Sequence, residues 1–292
     1  ANTFTGTTTV TAGKLQLGYA TENNSKLDDA SNLILAGGQL DLAGGSHTEV
    51  VAGTILKTGE SSVTRASVSS TLKMNTITRN PGAFLNIGAA SIASTDNLNV
   101  NGILGGWATI GSGWAINSTG GADAPITALA TYKTTDESTW TSTDNVKATA
   151  ARTLTADRQV NSLFLGSTHN HNIGVGQTLR IENGGLLVGG NYSPSLQNGT
   201  LTAGVGDDTP GELVVSHNGS VGYILTIGST IADNGSGPVS LSKNRAGTLR
   251  LSGANTYSGN TYLNAGKLIL DHNNALGDGT GTLRIGHGTT ID

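Results

Sequence analysis

The side chains able to do chemistry are sparse in this chain, and few of them sit at spacings that chemistry uses. His169 and His171 lie two apart in Thr-His-Asn-His-Asn, so on a strand they share a face. Such a pair can begin a zinc or copper site, but further ligands are needed, and the chain has no cysteine to supply them. A solvated loop is the simpler reading. The acids Asp136, Glu137 and Asp144, and the pair Asp207-Asp208, carry the oxygen ligands that hard cations prefer. Acids of this kind more often hydrogen-bond their own backbone in turns. Asp157 with Arg152 and Arg158 is a dense cluster of opposite charges. Glycoside hydrolysis requires an acid and a base or nucleophile at defined separations, and a surface ion cluster explains these residues without catalysis. Trp107 and Trp114 flank Ala-Thr-Ile-Gly-Ser-Gly in apolar alternating sequence, which favours packing. Trp140 stands in polar, Thr-rich sequence and is the better candidate for stacking on a sugar ring. Asp136, Glu137, Trp140 and Asp144 together form a candidate binding loop. No residue is assigned to catalysis, to a cofactor or to a metal.

The elements that would position these residues are all-β. Gly accounts for 43 of 292 residues and Pro for only 5, while charged residues make up 12% and aromatics 4%, a combination that fits neither collagen nor a charge-rich disordered chain. What remains is rich in Thr, Asn, Ser, Leu and Gly, the vocabulary of strands and turns. No run has the capped 3.6-residue periodicity of an amphipathic helix, and no apolar stretch reaches the length of a membrane-spanning helix. A net charge of −4 gives no basic patch, so nucleic acid is not an expected partner. Without cysteine, a domain of this size must be held by repetitive hydrogen bonding and a continuous core. No signal peptide is visible, so the sequence reads as a mature or excised piece.

An internal repeat carries most of the information. Residues 1–17 read ANTFTGTTTVTAGKLQL and residues 254–270 read ANTYSGNTYLNAGKLIL, an offset of 253 residues. Val10/Leu263, Ala12/Ala265, Leu15/Leu268 and Leu17/Leu270 stay apolar, while Thr9/Tyr262, Thr11/Asn264 and Gln16/Ile269 drift. Alternation at period two describes a strand with one buried face. The inward phase slips by one residue at Gly13 and Gly266, where a glycine can turn a corner. Two short strands joined at such a corner make one edge of a solenoid rung. Gly-bounded bursts elsewhere follow the same grammar, among them Thr178-Leu179-Arg180-Ile181 and Gly247-Thr248-Leu249-Arg250-Leu251. At about 20–25 residues per rung, the offset corresponds to roughly 11 rungs. Terminal modules are read at 1–42 and 254–292. The segment 121–160 is rich in charge and poor in glycine, and it is expected as a loop insertion from the solenoid wall. Leu276-Gly277-Asp278-Gly279-Thr280-Gly281 approaches the Gly-Gly-x-Gly-x-Asp unit of calcium-binding β-rolls only once, without the tandem that such sites need.

LSGANTYSGNTYLNAGKLIL at 251–270 resembles the autotransporter-associated β-strand, or passenger-associated transport, repeat. Asn260 replaces a glycine common in that repeat, and Tyr262-Leu263 replaces Thr-Val. The stretch Leu241-Ser242-Lys243 is similar to the lead-in before the motif, and Gly105-Gly106-Trp107-Ala108-Thr109 is similar to a block between repeats in very large bacterial surface proteins. The resemblance implies a right-handed parallel β-helix, extracellular or at the cell surface; it implies no catalytic activity, and no enzyme is expected. The expected function is a structural segment of a fibre that contacts itself end to end. The alternative is an adhesin stalk that binds surface glycan or protein through the 121–160 loop. A polysaccharide-degrading β-helix is the third reading.

Overall fold

A computed structural model describes residues 3–66 and 69–292, so Ala1 and Asn2 of the N-terminal module lie outside the described residues. The chain divides into two compact units, residues 1–129 and 130–292. In both, short strands stack in parallel with the equivalent strands of the next turn, giving a parallel β-solenoid.

In the first unit, one face stacks Thr8–Val10, Leu33–Leu35, Thr54–Leu56 and Ile77–Arg79, all parallel. Thr8 faces Leu33, Leu33 faces Thr54 and Thr54 faces Ile77, so successive turns take 25, 21 and 23 residues. A second face stacks Lys14–Gly18, Gln39–Ala43, Gly59–Ala66, Ala83–Ile87 and Ala108–Ile110. The inward row Leu33, Leu35, Leu40, Leu42, Leu56 and Val63 is fully shielded from water. After Ala108–Ile110 the direction reverses. Gly113–Asn117 pairs antiparallel with that strand and with Ala124–Ala128, which also lies antiparallel to Ala93–Thr95. This antiparallel turn covers the open edge of the parallel ladder, which would otherwise present unpaired backbone groups. Trp114 is fully buried within it.

The second unit stacks Asn145–Ala148, Arg158–Leu165, Thr178–Val188, Gly211–His217, Val239–Asn244, Thr261–Leu263 and Leu283–Ile285. Its other long face runs Asn170–Asn172, Ser195–Gln197, Ile224–Ile227, Thr248–Leu251, Lys267–Leu270 and Thr290–Ile291. Rows of like residues bond from turn to turn: Asn161 donates to the Asn145 side chain at 2.8 Å, and Asn264 to that of Asn244 at 2.7 Å.

The two repeat modules share a local structure. Strands Thr8–Val10 and Thr261–Leu263 are each followed by a glycine in the left-handed region, φ 66° at Gly13 and 74° at Gly266, and then by Lys14–Gly18 or Lys267–Leu270. A β-carbon at Gly266 would approach the Gly247 carbonyl oxygen to 2.5 Å, so this corner excludes side chains on two counts. Val10, Leu17, Leu263 and Leu268 are buried, and Leu15 and Leu270 are partly buried against the cores. Ala12 is exposed and Ala265 half-buried, which corrects their expected place in the core. Both lie past the end of the first strand, on the corner itself, where alternation no longer applies.

Segment 121–160 is not a single projecting loop. It contains the ladder strands Ala124–Ala128 and Asn145–Ala148 and crosses from one unit to the other. Lys147 lies on the strand Asn145–Ala148, and Asp136 and Asp144 close short turns, which sequence composition alone does not distinguish from an insertion.

Candidate functional site

The candidate binding loop at 136–144 is built differently from its sequence expectation. Asp136 caps the short 3-10 turn Glu137–Thr139, its carboxylate accepting from the Ser138 N–H. A hydrogen bond from Glu137 holds the Asp136 carboxyl below its usual range, and the same contact raises that of Glu137. Asp144 accepts from the Thr141 N–H at 2.9 Å and closes its own turn. Trp140 is 9% exposed and belongs to the core of the second unit, with Nε1 donating to the Thr135 carbonyl at 3.2 Å. The indole is packed against Leu and Val side chains and is not available for stacking on a ligand.

The histidines also separate. His169 is exposed and meets the Ser167 hydroxyl at 2.6 Å, while His171 is 5% exposed. The strand begins at Asn170, so His169 falls on the preceding corner and the expected shared face does not form. Burial, and then the charges of His169 and Arg152, push the His171 imidazole down to about 4. Among the described residues, no group of three or more His, Asp or Glu side chains is placed to hold a metal ion. Asp278 accepts from the Thr280 N–H at 2.9 Å, the ordinary work of a turn aspartate.

A polar cleft of about 290 Å³ opens on the outer wall of the second unit. Its floor follows from period-two alternation: Leu179, Ile181, Leu201 and Ala203 point into the core, leaving Thr178, Arg180, Thr200 and Thr202 to face outward. Thr178 lies beside Thr200, and Arg180 lies between Gln159 and Thr202 on neighbouring turns. The Arg180 guanidinium bonds Glu182 Oε1 at 2.8 Å and also pairs with Asp207. Burial opposes its charge, but the hydrogen bonds it donates to Asp207 and Glu182 outweigh that and hold its pKa above the ordinary value. Glu182 further accepts from the Gly206 N–H at 2.9 Å, which fastens the 204–209 turn along the rim. At the other rim, Asp157 accepts from the Thr178 N–H at 2.7 Å, and Arg158 Nε donates to the Glu137 carbonyl at 2.7 Å. Asp233 accepts backbone N–H bonds from Val239 and Ser258 at 2.7 and 2.9 Å. Asp157 and Asp233 are thus fixed by backbone donors, an arrangement suited to a rigid polar surface.

Of the residues singled out in the sequence, Asp157, Arg158 and Asp207 line this cleft; Asp136, Glu137, Trp140 and Asp144 do not. Arg180 and Asp233 were missed as site residues. The outward phase of Thr178 and Arg180 around Leu179 and Ile181 was a readable signal, but strand pairing between distant turns was needed to bring them together.

Residues 1–17 and 241–270 match the passenger-associated-transport-repeat family. The chain thus carries this repeat in its first and last modules. The C-terminal repeat shows what its residues do. Asn255 is fully buried, its side chain accepting from the Ile231 N–H at 2.8 Å and donating to the Ala275 carbonyl at 2.7 Å. Tyr257, 1% exposed, meets the Thr261 hydroxyl at 2.7 Å. Lys243, fully buried in the lead-in, donates to the carbonyls of Asn244, Arg245 and Ala265 at 3.0, 2.6 and 3.1 Å. A curated relative, the adhesin BmaC autotransporter of Brucella suis biovar 1 (strain 1330), is 31% identical over 290 residues. The aligned region covers 91% of this chain and 8% of that relative, so the chain spans a small part of its length. No solved structure matches. These relationships place the chain at the bacterial cell surface or in its secreted fraction. Among the described residues, no helix is long and apolar enough to cross a membrane.

Proposed function

We propose that this chain is a passenger segment of an autotransporter adhesin, a right-handed β-solenoid that presents contact surfaces and performs no catalysis. The observation that carries this reading is the passenger repeat itself, folded as stacked parallel turns in a chain related along 91% of its length to an adhesin. A parallel solenoid fits the task, since every added turn bonds to its neighbour and extends the display surface without a new core design. The expected 121–160 contact loop is replaced in this proposal by the outer wall of the second unit. Fluorescently labelled segment is expected to bind epithelial monolayers saturably and to release no sugar from cell-surface or plant polysaccharides. Absence of saturable binding, or release of reducing ends, would refute it.

End-to-end assembly is a second reading, supported by the strand–corner–strand structure that 8–18 and 261–270 share. Under it, turns of one copy continue those of the next through a contact that does not close. Electron microscopy at rising concentration is expected to show filaments; monodisperse particles throughout would rule it out and leave covalent continuation within a longer passenger.

A further inference from the structure

We infer that the cleft on the outer wall of the second unit binds an uncharged oligosaccharide lying along the solenoid axis. This rests on the adhesin reading and names the site and ligand class within it.

The chemistry of the lining selects the ligand. Asp157, Asp207 and Asp233 contribute three negative charges and Arg158 and Arg180 two positive ones, a net −1 before the buried Glu182 behind Arg180 is added. Sialylated, sulfated or uronic-acid glycans would therefore meet a like-signed field. An uncharged sugar fits the same groups, because its hydroxyls donate to carboxylates and accept from guanidinium and amide N–H. Asp207 leaves 84% of its side chain in solvent despite its pairing with Arg180, so it remains able to accept from a ligand. Gln159 is exposed and brings both a donor and an acceptor to the same face. Thr178 and Thr200, side by side on adjacent turns, add hydroxyls and methyl groups.

The shape selects it further. The lining draws on successive turns at 157–159, 178–180, 200–207 and 233–235. With turns about 4.8 Å apart, it extends on the order of 14 Å along the axis, longer than a single sugar ring. No aromatic or large aliphatic side chain lines it. The aromatic anchors enriched in protein–protein contacts are therefore missing, whereas fixed donors and acceptors along a polar groove match the hydroxyls of a sugar. The Asp157, Asp233 and Glu182 carboxylates are already oriented by backbone N–H donors, so binding costs little ordering of the site.

The test is saturation-transfer NMR and titration of the whole segment with cellotetraose, maltotetraose and lacto-N-tetraose, beside sialylated and sulfated oligosaccharides of similar length. At least one neutral tetrasaccharide is expected to bind, and the acidic ones at least tenfold more weakly. Gln159→Ala, at an exposed position, should weaken binding several-fold with unchanged circular dichroism. The double variant Asp157→Asn with Asp207→Asn keeps side-chain carbonyl acceptors while moving the lining from −1 to +1, and should erase the preference against acidic sugars. Failure of every neutral probe, stronger binding of acidic ones, or binding indifferent to these variants would overturn the proposal. If labelled segment still binds monolayers in those cases, only the cleft assignment falls; neutral-sugar binding without monolayer binding would instead refute the adhesin reading.

Discussion

Replacing Leu268 by Asp and, separately, Ile269 by Asp tests the facing of the repeat. Leu268 is fully buried, set between Leu249 on one turn and Ile291 on the next. Its neighbour Ile269 is half-buried and stands beside Arg250. At position 268 the substitution removes a buried Leu, costing about 2–5 kcal/mol in transfer and cavity terms. It also places a carboxylate where only apolar neighbours stand, so the acid must either take up a proton or carry a further penalty of about 1–3 kcal/mol. A loss of roughly 3–8 kcal/mol is comparable to the whole stability of an ordinary domain. At 269 the lost burial is partial and the new carboxylate lies near a guanidinium, so the loss should stay below about 1.5 kcal/mol. Stacked turns can open locally, which makes a single melting temperature a poor readout. Amide hydrogen exchange followed by mass spectrometry over 248–251 and 261–270 reports the affected turns directly. Leu268→Asp is expected to abolish protection there, and Ile269→Asp to leave it nearly intact. Equal loss in the two variants would refute the inward assignment.

Other outcomes follow from buried groups the fold depends on. His171, held at about 4 by burial, stays neutral in the folded state while the unfolded chain protonates near 6.5; stability is therefore full above that value and falls by about 3 kcal/mol as pH drops from about 6.5 to 4. His171→Leu should flatten urea midpoints across that window. Lys243→Met keeps the volume but strips the carbonyls of Asn244, Arg245 and Ala265 of a shared donor; a loss of about 3 kcal/mol, with faster amide exchange at 244–247, is expected. Trp140→Ala should cost about 3–5 kcal/mol and expose the 145–165 turns to proteolysis, because the indole closes their core; a variant as protease-resistant as the parent would return Trp140 to the surface.

The repeat was legible because its physics is local. Alternation at Val10, Leu263 and Leu268 and the glycine corners at 13 and 266 need no knowledge of distant residues, and these positions show the strand–corner–strand structure they spell. Ala12 departs from the alternation because it sits on a corner, where the backbone resets the facing. Trp140 has polar neighbours in sequence, yet the chain folds it onto a core that includes residues as distant as Leu196, 56 positions away. Tyr262 shows the converse. It occupies an outward phase beside Ser242 and Arg284 and is still only 5% exposed. The cleft was hidden for the same reason as Trp140: Asp157, Arg180, Thr200 and Asp233 become neighbours only through the register of successive turns.

The central claim, an adhesive surface passenger, is tested most directly by displaying residues 1–292 on non-adherent bacteria through an unrelated transporter and counting cells retained on epithelial monolayers. Retention well above that of bacteria displaying a non-adhesive β-helix, and its loss when soluble segment is added in excess, is the predicted result. Retention equal to that control, with the segment shown to be folded and surface-exposed, would contradict the account.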